Sequence, residues 1–111
     1  MRHNEFARIL ASGTYDLIVL DVVREGPAYG YGIVQRIFAQ SKGTIRWHEG
    51  TVYPVLHRLE EHGLLRSEWK GRQGGRQRRY YRLTVRGQRV WKENRQTWRD
   101  FSQSIHSLLG L

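Results

Sequence analysis

The run Gly50-Thr51-Val52-Tyr53-Pro54-Val55-Leu56-His57-Arg58-Leu59-Glu60-Glu61-His62-Gly63-Leu64-Leu65 admits few structures. Val52, Leu56 and Leu59 recur at i, i+4 and i+7 and so share one helical face, while Gly50, Pro54, His57 and Glu61 fall on the other. Gly63 is the expected left-handed stop, and Leu64-Leu65 beyond it begin a strand. A proline in a helix interior loses a hydrogen bond and clashes with the preceding turn, at about 3 kcal/mol. The sequence therefore predicts Thr51 as the N-cap, with Pro54 in the first turn. Such a helix is either a surface helix with an irregular start or one built to approach another backbone closely, as in a DNA groove.

The chain around it supplies further elements. Phe6, Ile9 and Leu10 mark a short amphipathic turn or two within Arg2 to Ala11. Ser12 or Thr14 can cap a helix that ends at Gly26-Pro27, and its run from Tyr15 to Val23 is apolar on more than one face, as expected for the hub of a core. After Ala28-Tyr29-Gly30-Tyr31-Gly32, the spacing of Ile33, Val34, Ile37 and Phe38 predicts a second helix, stopped by Ser41-Lys42-Gly43. Thr44-Ile45-Arg46-Trp47, β-branched and aromatic, predicts one edge strand.

Beyond Leu65 the period changes to that of strands. Arg66 to Lys70 and Arg79 to Thr84 flank a glycine-rich stretch and read as an antiparallel hairpin with a long tip. Lys70, Arg72, Arg76, Arg78 and Arg79 cluster there with no acidic residue among them. The whole chain of 111 residues holds 19 Lys+Arg against 10 Asp+Glu, a formal charge of +9. That excess points to a polyanion: nucleic acid first, an anionic membrane second, with a merely solvated basic surface and mobile loop as the plain alternative.

Enzyme chemistry finds no foothold. There is no cysteine, which excludes disulfide scaffolds and thiol catalysis. The five histidines show no ligand spacing, Glu60 and Glu61 are adjacent and face apart, and the glycines from Gly71 to Gly75 lie between strands rather than before a helix. No metal or cofactor is implied. No apolar run approaches the roughly 20 residues of a membrane span, and the expected location is the cytoplasm.

From Val85, with Thr84 as cap, a long helix is expected. Trp91, Asn94, Trp98, Phe101, Ile105 and Leu108 follow one another at intervals of 3, 4, 3, 4 and 3, a heptad seam that either pairs with a second helix or packs back on its own domain. Asn94 is the polar residue that would fix register. Trp98 either fills the interface or, with Trp91, walls a pocket for a planar aromatic or cationic small-molecule effector.

Helix, helix, strand, helix and basic hairpin is the order of a winged helix-turn-helix. The expected fold is mainly α with a small β-hairpin, divided into a DNA-binding domain over 1–84 and a dimerisation helix over 85–111. The recognition helix would run from Thr51 to Glu61 and the wing from Lys70 to Arg79. Arg58 would read guanine, with His57 beside it on the groove-facing arc, and Thr51 and Tyr53 would bind phosphate. Rival readings are a basic RNA-binding or ribosome-associated winged helix, and a protein-interaction module docked through the aromatic helix.

Gly30-Tyr31-Gly32-Ile33, Gly50 through Glu60, Gly63-Leu64-Leu65, and Gly74-Gly75 leading to Arg79-Tyr80-Tyr81-Arg82-Leu83-Thr84 and Gly87 resemble the PadR family of bacterial transcriptional regulators, over about Leu17 to Trp98. The resemblance implies a homodimeric repressor on a palindromic operator, with paired C-terminal helices and DNA affinity that falls when a small molecule binds. It also places Tyr31 and Pro54 among the DNA-contacting residues. Three positions depart from the family pattern: Gly32 stands for an acidic or polar residue, Trp47-His48-Glu49 for a smaller lead-in, and Arg79 for a lysine.

Overall fold

A computed structural model describes residues 14–71 and 74–111. The amphipathic turn expected within Arg2 to Ala11, and Arg72 at the hairpin tip, lie outside the described residues. The elements are α1 (Tyr15–Arg24), α2 (Gly30–Gln40), α3 (Glu49–Glu61), β1 (Leu65–Lys70), β2 (Arg78–Leu83) and α4 (Val85–Leu109). The strands pair antiparallel, with Leu65 opposite Leu83, Ser67 opposite Tyr81 and Trp69 opposite Arg79.

The hub helix α1 buries Val19, Leu20, Val22 and Val23, apolar on more than one face as its sequence requires. Against it pack Ile33 and Ile37 of α2, Val52, Val55, Leu56 and Leu59 of α3, and Leu65 and Tyr81 of the hairpin.

Two expectations fail, both around Trp47. Residues 44–47 form no strand; the third line of sheet pairing comes instead from Ala28, whose N–H and C=O exchange bonds of 3.0 and 2.8 Å with Tyr81. The apolar side chains of 44–47 serve burial rather than pairing: Trp47 is buried with its ring edge-on to Tyr15 at 4.6 Å. The second concerns α3, which starts at Glu49 with His48 as cap, so Thr51 is inside it and Pro54 lies beyond the first turn. The absent N–H of Pro54 would have met the carbonyl of Gly50, four residues back. Gly50 is exposed, leaving that carbonyl open to water, and Pro54 is exposed on the same side.

At its other end α3 stops as expected. Gly63 takes φ +74°, Leu64 N–H donates to Leu59 C=O at 2.9 Å and Gly63 N–H to Glu60 C=O at 3.0 Å, a Schellman closure. Thr84 joins this closure to the start of α4. Its hydroxyl donates to Gly63 C=O at 2.7 Å and accepts from Gly87 N–H at 2.9 Å, and its N–H donates to Leu64 C=O at 3.1 Å. Gly87 is buried there because a Cβ on it would lie 2.0 Å from the Leu64 carbonyl oxygen.

The first turns of α4 belong to the winged core. Val90 and Trp91 pack against it, the Trp91 indole N–H donates to Asp21 Oδ1 at 2.9 Å, and the Arg24 guanidinium covers the ring at 4.3 Å. Trp91 is thus half-buried within its own chain, and this packing spans the domain division expected between 84 and 85. From Asn94 onward the stripe is open: Trp98 is 48% exposed, Phe101 64% and Leu108 81%, with Ile105 half-buried among them. Among the described residues, no helix is long and apolar enough to cross a membrane.

Candidate nucleic-acid interface

The 3.6-residue period divides α3 into a buried face, a crest and two flanks. Gly50, Pro54, His57 and Glu61 form the exposed crest. Tyr53 and Glu60 lie on the flank toward the hairpin, Thr51 and Arg58 on the flank toward α1.

Between α3 and the hairpin runs a groove of about 490 Å³, walled by Tyr29 and Tyr31 at the start of α2, Tyr53 and His57 of α3, and Trp69, Arg76 and Arg78 of the hairpin. Tyr53 lies over Gly30, where an added Cβ would fall 2.7 Å from its ring, so the glycine lets the phenol settle across the start of α2. Arg78 stacks on Tyr29 at 4.7 Å, and Tyr29 meets Tyr80 edge-on at 5.3 Å. Cations and phenols alternate around an open slot, a lining suited to a polyanion that also presents flat or apolar surface. Glu49 is the acidic residue in its wall.

The residues proposed from sequence do not all meet there. Tyr31, Tyr53, His57, Arg76, Arg78 and Arg79 line the groove, and Pro54 stands exposed on the crest. Lys70 lies on the outer face of the hairpin, 3.5 Å from Glu68.

Arg58 stands apart from the groove. Its guanidinium makes an ion pair with Asp16 of α1, on the flank away from the hairpin, because position 58 falls about 70° around the helix from the centre of the crest. Thr51, seven residues earlier, shares that flank and is half-buried.

Arg79 lines the groove from a fixed position. It is half-buried between strand and helix, its Nε donating to Ser67 Oγ at 2.8 Å and its Nη2 to Glu60 Oε1 at 3.0 Å, while Ser67 also donates to Glu60. One carboxylate on α3 thereby fixes both strands. The sequence pattern had not separated this cation from its neighbours.

Trp69 also lines the groove, with no charge or motif in the sequence to mark it. Strand alternation places it on the same face as Leu65 and Ser67, the face turned to α3, and that alternation was the available signal.

Tyr81 is fully buried, and among the described residues its hydroxyl has no hydrogen-bond partner. Burial raises its pKa, opposed by the charge of Arg79 and reinforced by Glu60 and Tyr53. With the folded value above the usual phenol value of about 10, the unfolded chain ionises first as pH rises, so this residue's stabilisation is present at neutral pH and declines above about pH 10. Tyr81→Phe should therefore leave the melting temperature at pH 7 unchanged or slightly higher and lessen the alkaline decline; a loss above about 2 kcal/mol at pH 7 would show that the hydroxyl is bonded after all.

Comparison with known proteins agrees with this arrangement. The family model "Transcriptional regulator PadR-like family" matches residues 19–93. A transcriptional regulator of Mycobacterium tuberculosis, Rv3488, is 34% identical over 89 residues, which cover 80% of this chain and 79% of that one. The crystal structure of a PadR family transcriptional regulator from Eggerthella lenta superposes with a TM-score of 0.84 at 37% identity, covering 96% of this chain and 90% of that one. A transcriptional regulator from Clostridium thermocellum gives 0.80 at 30% identity, over 88% and 92% of the two chains. A winged helix with a cationic groove, a long C-terminal helix and a family match across most of its length make this chain a member of the PadR-like family of transcriptional regulators.

Proposed function

We propose that the protein is a homodimeric repressor that binds a palindromic operator through α3 and the hairpin and releases it when a planar aromatic or cationic small molecule binds beside Trp98. The observation that carries the reading is the open stripe Asn94, Trp98, Phe101, Ile105 and Leu108, on a helix whose root is bonded directly to the end of α3. Two copies joined along that stripe about a twofold axis would present two α3 helices in opposite sense, and a palindrome is the sequence symmetry that matches. The domain division then falls functionally after Trp91, with the rest of α4 as the dimerisation segment.

The effector part rests on two clefts that share Trp98. One, of about 430 Å³, has Asp16, Arg58, Asn94 and Phe101 in its wall; the other, also about 430 Å³, is lined largely by Leu17, Ile18, Val22, Ile37 and Ile45. An indole beside an apolar hollow suits a flat aromatic guest, by stacking, or a cation held over the ring face.

Selection of bound fragments from the source genome by the purified protein tests DNA binding and defines the operator together. An operator without twofold symmetry, or equal competition by RNA, would count against the reading. In the same assay Arg78→Ala should weaken specific and random duplexes alike and reduce the salt slope by about one unit, because its guanidinium, stacked on Tyr29, lies in the groove wall where a phosphate would come. An unchanged slope would remove Arg78 from the backbone contacts.

A further inference from the structure

We propose that Trp69 is a DNA-contacting residue of a non-ionic kind, an apolar wall for the sugar-phosphate strand that crosses between recognition helix and hairpin; this rests on the duplex-DNA reading above. The hairpin's inner face carries three rungs. Leu65 with Leu83 and Ser67 with Tyr81 sit over the core, and the third, Trp69 with Arg79, overhangs the groove. Trp69 is 63% exposed there, although its face of the strand is the one that elsewhere buries side chains.

Its position is held from behind. The Arg79 guanidinium lies 6.0 Å from the indole centroid and is itself fixed by Glu60 and Ser67, so a tethered cation stands behind the ring. A tryptophan placed this way loses little conformational freedom when something covers it.

Duplex geometry selects what covers it. With α3 in the major groove and the hairpin tip reaching toward the minor groove, what separates the two is one backbone strand. Arg76 and Arg78 stand in the same groove as partners for its phosphates. The deoxyribose between successive phosphates offers an apolar face that a cation cannot use and an indole can.

The consequence is a contact that adds affinity without releasing counterions. Full-length wild type, Trp69→Gln, Trp69→Phe and Arg78→Ala are titrated with a random-sequence duplex and a single-stranded oligonucleotide across a salt series, with melting temperatures measured in parallel. Trp69→Gln should lose on the order of tenfold in duplex affinity at every salt concentration, with an unchanged log-log slope and an unchanged melting temperature. Trp69→Phe should recover most of the loss, and Arg78→Ala should lower the slope. The proposal is overturned if Trp69→Gln binds duplex like wild type, if its slope falls, if its weaker binding tracks a lower melting temperature, or if wild type prefers the single strand, which would make the indole a base-stacking platform. A wild type that binds no duplex overturns the DNA reading and the Trp69 contact together, whereas loss-free binding by Trp69→Gln overturns the contact alone.

Discussion

Gly87→Ala should destabilise the protein by about 3 kcal/mol or more, among the largest effects of any single methyl group in the chain. The Cβ would lie 2.0 Å from the Leu64 carbonyl oxygen and 3.0 Å from its carbon, so the obstacle is backbone and no rotamer change relieves it. Relief requires α4 to move away from the end of α3. That would stretch the Gly87 N–H to Thr84 bond and lift Val90 and Trp91 off the core. The melting temperature should fall by roughly 10 °C or more. Gly50→Ala is the control: also a glycine within a helix, it has nothing within 4 Å of the added carbon and should be neutral or stabilising by up to about 1 kcal/mol. Thermal melts of both variants decide the matter, and equal melting temperatures would disprove the close approach.

Phe101→Glu combined with Ile105→Glu should convert the proposed dimer into a monomer at micromolar concentration while leaving the winged domain folded. Both residues lie on α4 beyond Trp91, and neither belongs to the buried core, so carboxylates there meet water in the isolated chain and meet each other across a twofold axis. Loss of the link between two half-sites should reduce operator affinity by roughly a hundredfold or more, without changing the affinity of a single winged domain for one half-site. Sedimentation of both proteins, with binding to full and half operators, reports this. A double variant that stays dimeric would place the interface elsewhere.

Periodic features were legible in the sequence because they state a geometry by themselves. The buried face of α3, the stop at Gly63, the Thr84 cap and the two hairpin strands all follow from spacing or from a single residue's backbone preference. What escaped was the partner of each long side chain. Arg58 and Arg79 look like Arg76 and Arg78 in sequence, yet Asp16 and Glu60, 42 and 19 positions away, claim the first two. Trp91 begins the heptad stripe by spacing but is taken by Asp21, 70 positions earlier. Residues 44–47 have strand composition and no neighbour to pair with, since Ala28 already occupies the open edge of β2. In each case a contact distant in the chain overrode a locally sound pattern.

The Thr84 hydroxyl, bonded at once to Gly63 and to Gly87, also bears on how such a chain can diverge. An inserted or deleted residue between Leu83 and Gly87 would break one bond or the other and set Gly87 out of step with Leu64, so this joint is closed to changes of length. The hairpin tip and the far half of α4 lie on either side of it and take part in neither bond. The two extremities can therefore change by mutation, each without re-fitting the other, provided the three residues between Leu83 and Gly87 keep their count.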